Sequence, residues 1–198
     1  MRWTPGEGFF LLERHLDRLQ GSARFFEFTC SMERVRAALD EFSRSASPAA
    51  GPLRVRLLLG QDGEARLEHA ALDRKEGVTR LRLALGPIDP SDRFLFHKTT
   101  NRGTYDRARL PECDDVILWN PSGDITESTI ANVVVEIDGR RVTPPVECGL
   151  LAGTLRAESL SRGEIVEGRV TIDQLRTASR IWLINSVRGW VPAALAER

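Results

Sequence analysis

Two runs of alternating apolar and polar residues, joined by a three-residue turn, constrain the fold of this chain more than any other feature. The runs cover residues 53–60 and 64–72, and the turn between them is Gln61-Asp62-Gly63. Alternation places apolar side chains on one face of a strand, and a short glycine turn joins antiparallel neighbours. We therefore predict a β-hairpin with one apolar face that another layer must cover.

Two amphipathic helices precede the hairpin and can supply that layer. Apolar residues at helical spacing mark the first helix: Leu12, Leu16, Leu19, Ala23 and Phe26. Ser31 is the predicted N-cap of the second helix, which ends in a loop over residues 43–52 and has the apolar stripe Val35, Ala38, Leu39 and Phe42. A further strand is predicted at residues 79–85. Helices on an antiparallel sheet make this half of the chain an α+β unit.

A stretch with two prolines and little apolar content, residues 86–92, divides the chain. We predict a small α+β domain over residues 1–86, a linker over 87–93 and a larger domain over 94–198. In the larger domain, strands are predicted at residues 94–96, 114–119, 130–137 and 181–184, the last of these being the final strand. Short helices are predicted at residues 104–110 and 153–161, and Thr171 with Gln174 has the pattern of a capping box.

Composition excludes several classes of function. Lys+Arg and Asp+Glu are both 28, so the net charge is zero and no global field attracts nucleic acid or a membrane surface. The three cysteines, Cys30, Cys113 and Cys148, are far apart and odd in number, which argues against a disulfide framework and a zinc site. Reduced thiols, no signal-peptide pattern and no long apolar run predict a cytoplasmic protein without a metal.

Lys98 is chemically informative because of its position. It is one of two lysines in the chain, with Lys75, and it follows the apolar run 94–96. At the end of a buried strand an ammonium is partly desolvated, which favours the neutral, nucleophilic amine that can form a Schiff base. The alternative, which these residues alone favour, is a lysine whose charged end reaches solvent beside the strand.

Four other sites carry groups that suit a charged ligand, and each has an ordinary structural interpretation when it is taken alone. Arg18 lies on the first helix, where a solvated surface arginine is common. Glu127 lies between a glycine turn and an apolar strand, as exposed turn carboxylates do. Gly153-Thr154 begins a helix whose N–H groups suit a phosphate, although most helix starts bind water. Asn185-Ser186 ends an apolar strand at a second candidate anion-binding turn.

Five motifs cover nearly the whole chain and together are specific. They are W-x-P-G-E-G-F-F-L-L-E-R-H-L-D-R-L from Trp3, H-K-T-T-N-R from His97, G-x-I-T-E-S-T-I-A-N from Gly123, L-L-A-G-T-L-R from Leu150 and N-S-V-R-G from Asn185. In order and spacing they resemble the class IV aminotransferase family of pyridoxal-phosphate enzymes. Within that family the chain most resembles the 4-amino-4-deoxychorismate lyases, in the form often fused behind an aminodeoxychorismate synthase subunit.

The resemblance implies a fold and a cofactor. The implied fold is the two-domain α+β arrangement of pyridoxal-phosphate fold type IV, like that of D-amino acid aminotransferase, with an α/β-barrel-like cofactor domain over residues 94–198. The implied cofactor is pyridoxal 5'-phosphate, and the implied assembly is a homodimer. Family members have an additional strand before the motif at Trp3, so that strand is expected to be missing here. Residues 3–8 accordingly look like a hairpin turn whose first strand is absent.

The resemblance also implies roles for single residues. Lys98 is the implied Schiff-base lysine and proton shuttle, and Glu127 the carboxylate that faces the pyridine nitrogen of the cofactor. A carboxylate there favours the protonated nitrogen, which lets the ring accept electrons. The implied ligands of the cofactor phosphate are Arg18, Gly153-Thr154 and Asn185-Ser186. Arg188 is the implied ligand of a substrate carboxylate.

The implied reaction is the release of pyruvate and 4-aminobenzoate from 4-amino-4-deoxychorismate, a small-molecule substrate, for folate biosynthesis. Transaminases of this family tend to carry a tyrosine soon after the lysine, which touches the cofactor oxygen. Here residues 101–103 are Asn-Arg-Gly, and Tyr105 lies two positions too late for an easy match. This pattern resembles the lyases more closely.

Two alternatives stay open at this point. The first is a transaminase of the same fold that acts on branched-chain or D-amino acids. The second is a truncated, non-catalytic relative that binds the cofactor or serves as an interaction module for an aminodeoxychorismate synthase partner.

Overall fold

The computed structural model describes residues 1–47, 51–72 and 77–196 of the chain. The chain divides into two units, Met1–Lys75 and Glu76–Arg198. Residues 48–50 of the predicted loop and Lys75 lie outside the described residues. No helix within the described ranges combines the length and the apolar character that a membrane span requires.

The first unit is a four-stranded sheet with two helices. Its strands are β1 (Arg2–Thr4), β2 (Gly8–Phe9), β3 (Leu53–Leu59) and β4 (Ala65–Ala71), in the order β2-β1-β3-β4, and its helices are α1 (Leu12–Phe25) and α2 (Met32–Ser45). The predicted hairpin is confirmed, because β3 and β4 pair antiparallel along their full length. The predicted cap is confirmed too, since the Ser31 hydroxyl accepts from the backbone N–H of Arg34 at 3.3 Å. Leu16, Val35 and Leu39 form the buried layer between helices and sheet.

The N-terminal hairpin has both of its strands, which corrects the expectation that the first strand is absent. Arg2–Thr4 pairs antiparallel with Gly8–Phe9 on one side and with β3 on the other. The intervening turn is closed by the Glu7 N–H, which donates to the Thr4 carbonyl at 3.1 Å. A three-residue strand is too short to show alternation, so sequence patterning did not reveal it.

The second unit is built on eight strands. They are β5 (Thr79–Leu83), β6 (Asp115–Trp119), β7 (Ile125–Ser128), β8 (Asn132–Ile137), β9 (Arg140–Thr143), β10 (Val166–Glu167), β11 (Arg180–Asn185) and β12 (Gly189–Leu195). Six of these pair in a closed ring, β5-β6-β7-β8-β11-β12 and back to β5, while β9 and β10 extend the sheet beside β8. The pairing of β7 with β8 closes the ring through Glu127 and Asn132. Apolar residues from strands of this ring form one buried cluster: Leu81, Ile117, Ile125, Val133, Val135, Ile181 and Leu183.

Most helices and turns of the second unit lie where the sequence predicts them. The helices are α3 (Arg93–Phe96), α4 (Gly103–Ala108), α5 (Thr154–Ser161) and α6 (Ile172–Thr177). The capping box predicted for Thr171 and Gln174 is present at the start of α6. The turn between β8 and β9 contains Asp138 and Gly139 with φ of 50° and 73°, the backbone that a two-residue hairpin turn requires.

The strand Thr79–Leu83 belongs to the second unit, although the sequence assigned it to the first. It pairs in parallel with both β6 and β12, and Leu81 is fully buried between them. The unit therefore begins before the predicted linker 87–93. Parallel partners lie far away in sequence, so local patterning carries no information on them.

The apolar run 94–96 is a turn of helix and not the predicted strand. The Asp92 side chain accepts from the Phe94 N–H at 2.9 Å, which caps this turn, and the Leu95 N–H donates to the Asp92 carbonyl at 2.9 Å. Leu95 is fully buried. Three consecutive apolar residues fit a buried helical turn as well as a strand, and the capping aspartate decided between them.

Strands β7 and β12 were not predicted. The first, Ile125–Ser128, has two polar residues at Thr126 and Glu127 that are nonetheless buried. The second, Gly189–Leu195, contains Pro192, a residue that usually argues against a strand assignment. The final strand of the chain is thus β12, and the strand predicted to be last, β11, is its antiparallel partner.

Candidate active site

Glu127 lies at the centre of a hydrogen-bonded group in the second unit. It stands on β7 with 4% of its surface exposed. Its Oε1 accepts from the Tyr105 hydroxyl at 2.7 Å and from the Leu151 N–H at 3.0 Å. Its Oε2 accepts from Asn132 Nδ2 at 3.3 Å. Three separate segments of the chain thus hold one buried carboxylate, which the sequence alone placed in a turn.

Burial raises the pKa of Glu127 to about 7. The Leu151 N–H and the Tyr105 hydroxyl oppose that rise, because both donate to the ionised form, and so do the positive charges of Lys98 and Arg102. A carboxyl poised near neutral pH ionises readily when a cationic group approaches it. The protonated nitrogen of a pyridine ring is such a group.

Lys98 follows α3 and is exposed, so it does not have the desolvated environment predicted for it. The helical turn 93–96 brings the chain to the surface, where a buried strand would have ended inside the sheet. The charge of Lys98 nonetheless lies close enough to Glu127 to lower the pKa of that carboxyl. The structure therefore places the two predicted catalytic residues in one electrostatic neighbourhood.

Tyr105 is the residue of this site that the sequence did not assign. It lies on α4 with 8% exposure, and burial raises the pKa of its hydroxyl, as does the negative charge of Glu127. The hydroxyl is therefore a neutral donor to the carboxylate. The Arg102 guanidinium lies 4.7 Å from the centre of the Tyr105 ring and donates to the Thr129 carbonyl at 2.6 Å. The signal that could have revealed Tyr105 is its rarity, since it is the one tyrosine in the sequence.

Gly153 is the N-cap of α5 and lies against Asn132. A Cβ atom at this position would overlap Asn132 Oδ1. Asn132 is fixed by its Nδ2 group, which donates to the Leu151 carbonyl at 2.8 Å and also to Glu127. Glycine here therefore lets the start of α5 approach the group around Glu127.

The first turn of α5 has the character of an anion site. Thr154 is buried, and no side chain of the described residues caps the helix at Gly153. The first N–H groups of a helix carry a partial positive charge and suit a phosphate. Gly153 and Thr154 therefore lie at the start of α5, and their predicted contact with a phosphate stays a prediction.

The turn after β11 is ordered by Asn185. Its Oδ1 accepts from the backbone N–H groups of Val187 and Arg188 at 3.0 and 2.8 Å. Ser186 is buried and the Arg188 side chain is exposed. The side chain of Asn185 thus shapes the turn that presents Ser186 and Arg188, whose predicted ligands stay predictions.

Arg18 lies on α1 of the first unit and is half-buried. Its Nη2 group lies 3.4 Å from His15 Nδ1 on the preceding turn of the helix. The predicted contact of Arg18 with a cofactor phosphate stays a prediction.

A comparison with protein families bears on the whole chain. The family model for amino-transferase class IV matches residues 1–196. The chain belongs to this family. Class IV aminotransferases depend on pyridoxal phosphate, and the chain is an enzyme of the lyase or transaminase kind that this family comprises.

Some relatives of this class IV aminotransferase are named as lyases and others as aminotransferases. A Schizosaccharomyces pombe protein provisionally named aminodeoxychorismate lyase is 30% identical over 190 residues, which are 90% of this chain and 81% of the relative. A Mesorhizobium loti protein provisionally named an amino-acid aminotransferase has a similar structure, with a TM-score of 0.91, 37% identity, and coverage of 99% of this chain and 97% of that one. A fold IV transaminase of Curtobacterium pusillum gives a TM-score of 0.77 and 27% identity, and covers 100% of this chain and 78% of that one. The two-domain fold type IV predicted from the motifs is thereby confirmed.

The residues present fit pyridoxal phosphate. Glu127 offers a buried carboxylate of raised pKa for a ring N–H, and Asn132 is the one donor that the described residues provide to its Oε2. Lys98 offers an exposed amine near that carboxylate, and α5 offers its N-terminus. A cation acceptor, an amine and an anion site are the three groups that this cofactor needs.

Proposed function

We propose that this class IV aminotransferase is a pyridoxal-phosphate-dependent lyase that converts 4-amino-4-deoxychorismate to pyruvate and 4-aminobenzoate. The observation that carries the choice of a lyase is the bond between the Tyr105 hydroxyl and Glu127 Oε1. In the transaminases that the chain resembles, a tyrosine soon after the lysine touches the cofactor oxygen. Here Tyr105 directs its hydroxyl to the carboxylate instead.

Residues 101–103 support the same choice. They follow Lys98 by three to five positions, where the transaminases tend to carry their tyrosine, and they contain no hydroxyl group. Arg102 is half-buried, with its guanidinium bonded to the Thr129 carbonyl and stacked on Tyr105. The Schizosaccharomyces pombe relative, which carries the lyase name, adds independent support.

The residues of the site divide the work of the proposed reaction between proton transfer, support of the ring nitrogen and binding of the phosphate. Pyridoxal phosphate, when bound, supplies an electron-accepting ring that stabilises negative charge on the substrate carbon. The Lys98 amine removes the proton from the carbon that bears nitrogen and can return a proton to the departing enolpyruvyl group. The Glu127 carboxylate keeps a pyridine nitrogen protonated. The N–H groups at the start of α5 and the Ser186 hydroxyl hold the phosphate.

The same residues allow a second function, transamination of amino acids. The observation that favours it is the 37% identity with the Mesorhizobium loti protein that carries an aminotransferase name. The first proton transfer by Lys98 is common to both reactions. They differ in the fate of the substrate, since elimination needs no keto-acid acceptor.

One pair of assays distinguishes the two functions. The purified protein with pyridoxal phosphate is incubated with 4-amino-4-deoxychorismate alone, and pyruvate and 4-aminobenzoate are measured. A parallel reaction contains branched-chain or D-amino acids with 2-oxoglutarate, and glutamate is measured. We expect equal amounts of pyruvate and 4-aminobenzoate in the first reaction. Glutamate formation with no pyruvate in the first reaction would replace the lyase by the transaminase.

We further propose that the chain forms a homodimer, because fold IV aminotransferases are typically dimeric. Light scattering after size-exclusion chromatography, with and without pyridoxal phosphate, measures the mass directly. A monomer in both conditions would remove this proposal. An aminodeoxychorismate synthase subunit as partner is proposed on the resemblance alone, and co-purification of the two proteins tests it.

A further inference from the structure

Tyr105 is held from three sides. Its ring belongs to a buried apolar cluster that includes Leu95 and Leu118. The Arg102 guanidinium lies over the ring at 4.7 Å. Its hydroxyl donates to Glu127 Oε1 at 2.7 Å, a short bond of the kind that charged acceptors form. A side chain fixed in this way can fix the group to which it donates.

The two oxygens of the Glu127 carboxylate are used differently. Oε1 accepts two bonds, from Tyr105 and from the Leu151 N–H, which together fill its usual capacity. Among the described residues, Oε2 has one donor, Asn132 Nδ2, and that bond is longer at 3.3 Å. The carboxylate is therefore anchored through Oε1, and Oε2 keeps the capacity to accept one more bond.

We propose that Tyr105 is a positioning residue for Glu127. By donating to Oε1 it sets the plane of the carboxylate and reserves Oε2 for the protonated ring nitrogen of pyridoxal phosphate. This inference rests on the cofactor assignment made under the proposed function. It gives the hydroxyl a different task from that of a tyrosine that touches the cofactor oxygen.

The charges around Glu127 predict how the loss of the Tyr105 hydroxyl would change the pKa of this carboxyl. Lys98 and Arg102 face the carboxylate with positive charge, and Asp92 adds negative charge on the side of Tyr105. The Tyr105 hydroxyl favours the ionised carboxylate, so its removal raises the pKa of Glu127 further. A neutral Glu127 cannot hold a proton on the ring nitrogen. The effect should therefore be largest at neutral pH and shrink as the pH rises.

The first test compares Tyr105→Phe with Thr104→Val, which removes the neighbouring hydroxyl of α4, the donor to Asp92, and leaves Glu127 untouched. We expect Tyr105→Phe to lower kcat about tenfold at neutral pH with little change in KM, and to shift the acidic limb of the pH–rate profile upward by about one unit. Thr104→Val should match the wild type. The absorption band of bound pyridoxal phosphate is titrated with pH in parallel. Its apparent pKa should shift in Tyr105→Phe and not in Thr104→Val.

The second test keeps Tyr105 in place, and so does not depend on the stability of Tyr105→Phe. Because the sequence has one tyrosine, protein labelled with ¹³C at the tyrosine Cζ atom gives a single assigned NMR signal. We expect Glu127→Gln to move this signal, because the charged acceptor becomes neutral. Well above pH 7, where Glu127 is ionised with or without the cofactor, addition of pyridoxal phosphate to the wild type should move it much less. The reverse order would mean that the hydroxyl contacts the cofactor, and would overturn the proposal.

The two proposals fail in different ways. Wild-type protein that binds pyridoxal phosphate but releases no pyruvate contradicts the lyase, while the titration and the NMR signal still test Tyr105. Active lyase in which Tyr105→Phe and Thr104→Val have the same pH–rate profile and the same cofactor titration overturns the role of Tyr105 and leaves the lyase intact.

Discussion

The backbone N–H of Leu151 donates to Glu127 Oε1 over 3.0 Å and so connects the carboxylate with the segment that leads into α5. Asn132 makes the same connection from the other side, since its Nδ2 group donates to the Leu151 carbonyl and to Glu127 Oε2. The position of the carboxylate and the position of the helix start are thus coupled. A change at one should be measurable at the other.

Lys98→Ala should abolish covalent attachment of pyridoxal phosphate. The amine at Lys98 is the proposed point of attachment and the proposed base, and loss of a general base typically costs about 10²–10⁴-fold in rate. Borohydride treatment of the loaded protein, followed by peptide mapping, measures the adduct. The chain supplies its own control, Lys75→Arg, because Lys75 is the second of its two lysines. An adduct on Lys75, or full turnover in Lys98→Ala, would contradict the assignment.

Gly153→Ala should disturb both the carboxylate and the phosphate site. The added Cβ overlaps Asn132 Oδ1, and the Asn132 side chain cannot move without losing its bonds to Leu151 and Glu127. We expect a loss of about 1–3 kcal/mol in the free energy of unfolding and weaker binding of pyridoxal phosphate. Fluorescence titration with the cofactor and urea unfolding measure the two effects.

Gly86→Ala is the matched control for that change, since a Cβ at Gly86 meets nothing within 4 Å. It should leave both measurements unchanged. Equal behaviour of the two variants would show that the packing of Gly153 against Asn132 does not constrain the site.

The stability of the cofactor-free protein should depend on pH through Glu127. The pKa of this carboxyl is about 7 in the folded chain against a reference value of 4.5, so the folded state binds the proton more tightly. The contribution of Glu127 to stability is therefore fully present below pH 4.5 and is lost as the pH rises to about 7. The loss is about 3 kcal/mol at full ionisation.

Glu127→Gln measures that contribution because glutamine does not titrate. Relative to the wild type, this variant should gain about 3 kcal/mol in the free energy of unfolding between the acidic and the alkaline end of that window. Urea unfolding at several pH values provides the numbers. A difference that does not change with pH would mean that folding leaves the pKa of Glu127 at its ordinary value.

Local patterns predicted most of the elements that are stabilised locally. The β3–β4 hairpin, the Ser31 cap and the capping box at Thr171 depend on residues within a few positions of each other, and all three are present. The strand β5 was assigned to the wrong unit because its partners, β6 and β12, are distant in sequence. Hydrophobic periodicity reports burial and not the identity of the neighbour.

The candidate site shows the same division between local and distant information. Motifs pointed to Lys98 and Glu127, and the structure brings their charges together. The sequence did not reveal that Glu127 is buried on a strand, because a polar residue on β7 resembles a turn until its partners are known. Tyr105 was missed for a related reason: its hydrogen bond spans 22 residues. Buried polar groups of this kind need partners that only the fold supplies.

The last prediction concerns Arg156, a buried residue in the first turn of α5 whose partners lie outside the helix. The guanidinium is buried, with 3% side-chain exposure, and its Nη2 group donates to the Pro144 carbonyl at 2.8 Å and to Glu167 Oε1 at 2.5 Å. Removal of either acceptor leaves a buried cation with less compensation. Because Glu167 is 48% exposed, solvent screens its carboxylate and Glu167→Ala should cost only about 1–2 kcal/mol in the free energy of unfolding. Arg156→Ala should cost about 3–5 kcal/mol, since it also removes a buried side chain.

A double-mutant cycle over these two positions separates the ion pair from packing. If the ion pair fixes the helix start, Glu167→Ala should weaken the binding of pyridoxal phosphate when Arg156 is present. The same change should have little effect in a protein that also carries Arg156→Met. Methionine fills much of the same volume without a charge that needs an acceptor. Equal weakening by Glu167→Ala in both backgrounds would show that Glu167 acts on the site by a route that does not involve Arg156.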